Sequence, residues 1–319
     1  MRLKRSMKGL ELSQAFFEEH GRPMLETQFP ELLPFLAAGL FGSGSECFGY
    51  DDVTSQDHDF EPGFCIFLPG EDVVSRRDAF LLERAYAKLP RSFMGYKRSV
   101  LSPVGGNRHG VLRTAEFFNR TVGSVDGTLN LIQWLSLPEQ ALAEATNGKL
   151  FFDRYGEVSD IREKLRCFPE GIRRKRLAGH LLLMAQAGQY NYTRCLKHGE
   201  TAAAQLAAVE YVKSTLSVLF LLNRRYQPYY KWVFRALREL PDGENYAKIL
   251  EDLLTTGNTV TEAKQKAETI EYLSASISSM LNDQDLTARR GDDLERLAYS
   301  VNDGIRDGEL RNMHVLAAV

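Results

Sequence analysis

The spacing of apolar residues changes once along this chain, near residue 160, and that change limits the folds open to it more than any other feature. Before it, short apolar runs alternate with helical stretches; beyond it, helical periodicity continues nearly to the C-terminus. Strands mixed with helices, followed by helices alone, read as an α+β fold in two domains. The expected division is a small mixed-sheet domain over residues 1–158 and an all-helical bundle over residues 159–319. A length of 319 residues leaves each half enough chain for a core of its own.

Within the first half, Leu12, Phe16, Phe17, Met24 and Leu25 place an amphipathic helix over residues 13–29, with a break expected at Gly21-Arg22-Pro23. Residues 35–41 form a short apolar run ending on Gly42-Ser43-Gly44-Ser45, which reads as a buried strand meeting a tight glycine turn. Residues 57–68 are again extended in character and close on Pro69-Gly70. A helix is expected over residues 71–89, stopped by Pro90, with weaker strand or helix signals at 99–104, 110–114, 129–135 and 150–153. In the second half, breaks at Pro169-Glu170-Gly171, His198-Gly199, Pro228, Pro241-Asp242-Gly243 and Gly257-Asn258 divide about five helices, of which 201–224 has the clearest apolar stripe.

With 40 basic against 42 acidic residues the net charge is −2, so no overall basic excess exists to hold a nucleic-acid backbone. Charged residues interrupt the apolar segment that should follow Met1-Arg2-Leu3-Lys4-Arg5 in a secretory leader, and no stretch reaches the ~18 uninterrupted apolar residues of a membrane span. A cytoplasmic protein without a membrane partner is expected. Cys47, Cys65, Cys167 and Cys195 form no C-x-x-C pair and have no histidine at ligand spacing, which disfavours a zinc site or a disulfide framework. Arg173-Arg174-Lys175-Arg176 reads as a solvated helix face, and His109 as a loop residue.

The chemistry concentrates in residues 42–60. On a strand, Asp57 and Asp59 project from one face while His58 points the other way, so the two carboxylates can converge on a cation. Hard oxygen ligands of this kind suit Mg²⁺, which binds one or two carboxylates together with substrate phosphates. Gly42 permits close approach of backbone to phosphate, and Ser43 adds a hydroxyl and an N–H. Glu116 lies near the strand-like 110–114 run, although Glu116-Phe117-Phe118 also reads as a helix start, and Asp153 ends an apolar run.

Gly42-Ser43 followed by Asp57-x-Asp59 resembles the polymerase-beta-type nucleotidyltransferase superfamily. The fuller run, with Gly49-Tyr50-Asp51-Asp52, Ser55-x-Asp57-His58-Asp59 and the later 148–157 segment, is similar to bacterial proteins carrying the DUF4037 domain. The resemblance implies transfer of a nucleoside monophosphate from a nucleoside triphosphate, ATP above all, to a hydroxyl of a small-molecule or protein acceptor. It further implies Asp57, Asp59 and a third acid on a later strand, Glu116 or its rival Asp153, as catalytic residues, with Gly42 and Ser43 on the nucleotide. The helix-break-helix around Pro228 resembles a segment in which Lys231 faces the phosphates and Tyr226 or Tyr229 lines the nucleotide cleft, against a reading of these aromatics as bundle core. The alternative function is a catalytically silent nucleotide-binding or protein-interaction module of the same fold.

Overall fold

In a computed structural model of the chain, the described residues are 7–52, 60–98 and 109–319. They form two compact units, one of residues 1–129 with 141–166 and the other of residues 130–140 with 167–319. Residues 159–166 thus stay with the sheet, and residues 130–140 belong to the helical unit ahead of the expected boundary.

The first unit opens with α1 (Gly9–Phe16) and α2 (Arg22–Gln28), joined through a π-helical turn at Phe17–Gly21. The break expected at Gly21-Arg22-Pro23 is therefore a widening of one continuous helical segment. Proline lacks an N–H and crowds the carbonyl four residues back, and a π-turn relieves both demands. Next come β1 (Ala37–Leu40), the single turn α3 (Ser45–Phe48), β2 (Cys65–Leu68), α4 (Arg76–Ala87), a small hairpin of β3 (Ser92–Phe93) and β4 (Tyr96–Lys97), β5 (Gly110–Arg113) and α5 (Thr114–Val122). After α6 (Leu131–Ser136) and α7 (Glu139–Thr146), the unit closes with β6 (Lys149–Asp153) and α8 (Glu157–Lys164). The signals at 110–114 and 150–153 are strands, that at 129–135 is a helix capped by Asn130 and Gln133, and 99–104 lies outside the described residues.

The four-stranded sheet runs in the order β5-β2-β1-β6 and is mixed: β2 and β5 are parallel, and β1 is antiparallel to both of its neighbours. All four residues of β2 are buried, so alternation along it supplies two apolar faces. Ile66 and Leu68 join Leu12, Phe16, Phe17, Leu25, Leu82 and Tyr86 in a core under α1, α2 and α4. Phe67 turns the other way, stacking on Phe41 at 4.7 Å between ring centroids and meeting Phe117 of α5 edge-on at 5.4 Å. The sheet is thereby covered on both sides.

The second unit is helical throughout: α6, then α9 (Glu170–Met184), a π-helical stretch Ala185–Tyr192, α10 (Thr193–Lys197), α11 (Thr201–Leu222), α12 (Val233–Arg238), α13 (Gly243–Thr255), α14 (Val260–Asp283), α15 (Leu294–Asp303) and α16 (Gly308–Asn312). The breaks read from glycine and proline fall at helix ends, but among the described residues eight helices rather than about five run from α9 onward, because the ends that separate α14, α15 and α16 were not among those breaks. By length and composition α11 would suffice to cross a membrane, the one helix among the described residues that does, and 67% of its most apolar window is buried within the protein.

Arg173-Arg174-Lys175-Arg176 is not a solvated face. Arg173, Lys175 and Arg176 are buried, and each donates to carbonyls at the end of another segment. Arg173 Nε donates to Leu221 O at 2.8 Å, at the C-terminus of α11. Lys175 Nζ donates to Met313 O at 2.6 Å and Asn302 Oδ1 at 2.8 Å, and Arg176 Nη2 to Leu135 O at 3.0 Å and Leu137 O at 2.9 Å. The last carbonyls of a helix have no intrahelical donor and carry partial negative charge, so cations are the natural caps.

One turn beyond Arg176, burial, reinforced by Arg176 and Lys213, pushes the His180 imidazole from its usual 6.5 to about 3. A group neutral when folded but charged when unfolded contributes stability that is complete above pH 6.5 and lost as pH falls through about 3. Thermal melts should therefore show wild type losing stability more steeply across that window than His180→Leu. Parallel curves would refute a neutral buried imidazole.

Candidate functional site

Strand β1 delivers Gly42-Ser43 to the end of the sheet where β2, β5 and β6 begin, because Gly39 pairs with Cys65, Cys65 with Gly110, and Leu40 with Lys149. Gly42 is buried with φ +121° and Ser43 is exposed. The side chain of Asn147 holds the Gly42 peptide group from both sides: Gly42 N donates to its Oδ1 at 2.9 Å, and its Nδ2 donates to Gly42 O at 2.8 Å. One amide thus does what a neighbouring strand would do past the end of the ladder. Gly148 N donates to Cys47 O at 2.8 Å and holds the C-terminal side of α3 in the same way. Arg162 of α8 donates from Nη2 to the carbonyls of Thr146 and Asn147, at 2.9 and 2.7 Å, and lies over the Phe41 ring at 4.4 Å.

The acidic run after the turn begins with a structural role. Asp51 is buried and accepts from Gly9 N at 2.8 Å, and the Lys8 ammonium stands 3.7 Å from its other oxygen. This carboxylate satisfies an N–H at the start of α1, where an unpaired donor and the helix dipole favour an anion. At the same end of the sheet, His109 lies in the bend before β5, as its loop reading expected, and is buried with Nδ1 3.1 Å from Glu61 Oε1.

Asp57 and Asp59 lie outside the described residues. Among the described residues no three or more His, Cys, Asp or Glu side chains gather to hold a metal. The structure does not bring Glu116 or Asp153 to the Gly42-Ser43 turn. Asp153 pairs with Ala37, and Arg113, three residues before Glu116, pairs with Leu68; both acids lie where β1 starts, roughly 10–13 Å of strand from where it ends. Glu116 is exposed in the first turn of α5. Asp153 accepts from Gly156 N and Ser159 N, each at 2.8 Å, and so caps α8. Beside it Glu157 is pushed up by burial, against a hydrogen bond to Thr114 and with repulsion from Asp153 and Asp72.

In the helical unit, Tyr226 is half-buried and packs edge-on against Phe168 at 4.9 Å. Tyr229 is exposed, its ring 4.3 Å from that of Tyr230, and Lys231 is exposed with Nζ 6.0 Å from the Trp232 ring. Sequence reasoning missed Asn147, Arg162 and Glu61. The first could have been noticed as an Asn-Gly pair just ahead of a strand, a position that favours local backbone bonding.

No curated protein matches the chain. Among solved structures it is similar to a nucleotidyltransferase-like protein from Exiguobacterium sibiricum 255-15, at 13% identity and a TM-score of 0.37, over 89% of each chain. The resemblance read at residues 148–157 falls within a family match that also spans Asn147, Arg162 and the buried basic run: residues 134–233 match DUF4037, a domain of unknown function.

Proposed function

We propose that the protein is a nucleotidyltransferase that places a nucleoside monophosphate from a triphosphate, ATP above all, on an acceptor hydroxyl. The observation that carries this reading is the Gly42-Ser43 turn, braced from behind by Asn147 and presented at the end of β1. Backbone held in this way at a glycine allows a phosphate oxygen to approach closely, and the exposed Ser43 supplies a polar edge. Asp57 and Asp59 would hold Mg²⁺, which on binding supplies charge neutralisation at the phosphates. In the reaction the hydroxyl oxygen bonds to the α-phosphorus as the bond to pyrophosphate breaks, and the hydroxyl proton passes to a base. Glu61 is an acid that the fold places at this end of the sheet, through its contact with His109. With α11 folded into the helical unit, we place this activity in the cytoplasm.

The test is transfer of label from each of the four α-labelled nucleoside triphosphates, with Mg²⁺ and cell extract supplying acceptors. Wild type should label an acceptor and release pyrophosphate; Asp57→Ala/Asp59→Ala should fall to background while keeping its circular dichroism. Undiminished transfer by a folded double variant would remove the assignment. One observation favours a second reading, nucleotide binding without transfer: neither Glu116 nor Asp153 stands at the turn. That reading predicts triphosphate binding with no pyrophosphate release for any acceptor.

A further inference from the structure

Arg162, half-buried, differs from the buried Arg173 and Arg176 in what answers its charge. Arg173 meets Glu170 at 3.2 Å and Arg176 meets Glu139 at 4.0 Å. Arg162 spends Nη2 on two neutral carbonyls, while its Nη1 is sealed from solvent with no hydrogen-bond partner among the described residues. Burial draws its pKa down to about 10, and the neighbouring titratable group is the Cys47 thiol of α3, which lies within reach of Ser43 O. The side chain is therefore still a cation at neutral pH. It stands behind Phe41, the residue that leads into Gly42-Ser43, and it fixes the peptide carbonyls on both sides of the Asn147 side chain that clamps Gly42. A largely desolvated charge with no carboxylate paired to it among the described residues is costly to keep, and an anion on the far side of the turn would offset that cost.

We propose that Arg162 and Asn147 are positioning residues that hold the Gly42-Ser43 turn for a polyphosphate, with the Arg162 guanidinium supplying the long-range positive charge that the phosphates answer. This rests on the nucleotide reading above. The two residues divide the work: Asn147 sets the geometry of the turn, and Arg162 sets both the orientation of Asn147 and the local potential.

Titration calorimetry with magnesium-ATP and with magnesium tripolyphosphate, repeated at several salt concentrations, separates these roles. Arg162→Met should weaken both ligands by about tenfold or more and flatten the salt dependence, because a charge has been removed from the ligand's field. Arg162→Lys, which keeps the charge, should restore the salt slope. Asn147→Ala should weaken both ligands with the salt slope unchanged, and Asn147→Asp should bind more weakly still, since it loses the donor to Gly42 O and adds a negative charge beside the phosphates. If wild type binds neither probe, the nucleotide reading itself falls. If wild type binds and the folded variants match it in affinity and salt slope, only the assignment of Arg162 and Asn147 is overturned. A uniform loss in all four variants with no change of slope overturns the electrostatic role, leaving only a packing one.

Discussion

Gly148→Ala is expected to destabilise the first unit by about 3–5 kcal/mol, enough to lower the urea midpoint severely or prevent soluble expression. Gly148 has φ +63°, in the left-handed region that a side chain disfavours. A Cβ there would also stand 2.2 Å from Leu40 O and 2.7 Å from the Phe41 Cα. Both obstacles are main-chain atoms of β1 and its exit, so relief requires prising β6 from β1 where the Gly42 turn begins. A neighbouring change isolates the backbone effect: Lys149→Ala, at an exposed position, should cost less than about 0.5 kcal/mol. A Gly148→Ala midpoint close to wild type would show that the strands yield easily there.

Arg176→Ala is expected to destabilise the second unit by a similar amount, about 3–5 kcal/mol, because it leaves buried groups unanswered rather than removing a surface contact. The carbonyls of Trp134, Leu135 and Leu137 lose their shared donor, and Glu139 loses its nearest cation. Burial already pushes the Glu139 carboxyl upward, outweighing the N–H donated by Gln227 and the charge of Arg176. Without Arg176 it should rise further. A carboxyl raised in the folded state contributes stability that is complete below the unfolded value of 4.5 and is lost as pH climbs through the folded value. The deficit of Arg176→Ala should therefore be smaller at pH 4.5 than at pH 8, in paired urea titrations. Arg176→Lys, with the charge but not the planar fork, should fall between. A deficit independent of pH would mean that Glu139 is not neutralised when Arg176 goes.

The parts of this fold legible in the sequence are those governed by local rules. A continuous apolar run marks β2, and glycine and proline mark the starts of α9, α11, α13 and α14, because each depends on a residue's own preferences. What escaped was the pairing of local signals across distance. Arg173, Lys175 and Arg176 look solvated until the helix ends they cap, as far as 138 residues away, are known. His109 is the loop residue it looks like, but its burial beside Glu61 escaped because the whole of β2 and α4 separates the two in sequence. Glu116 and Asp153 carry the right chemical type, and only strand register shows which end of the sheet they occupy. Gly42-Ser43 was legible as a turn; the Asn147 amide that fixes it lies 105 residues away and leaves no periodic trace.

The path of residues 130–140, which join the helical unit before the chain returns to finish the sheet, has a consequence for biosynthesis. The two units are laced by three crossings of the chain, and no single cleavage frees one from the other. A fragment that starts at residue 159 lacks the α6 carbonyls that hold Arg176, and one that stops at residue 158 lacks Arg162. On the ribosome the sheet waits for β6, emerging more than a hundred residues after the β1 that it pairs with, and by then a segment of the second unit has already been made. The first unit can be completed once residue 166 has been made, while residues 130–140 must wait for residues 167–319 before the second unit can form around them.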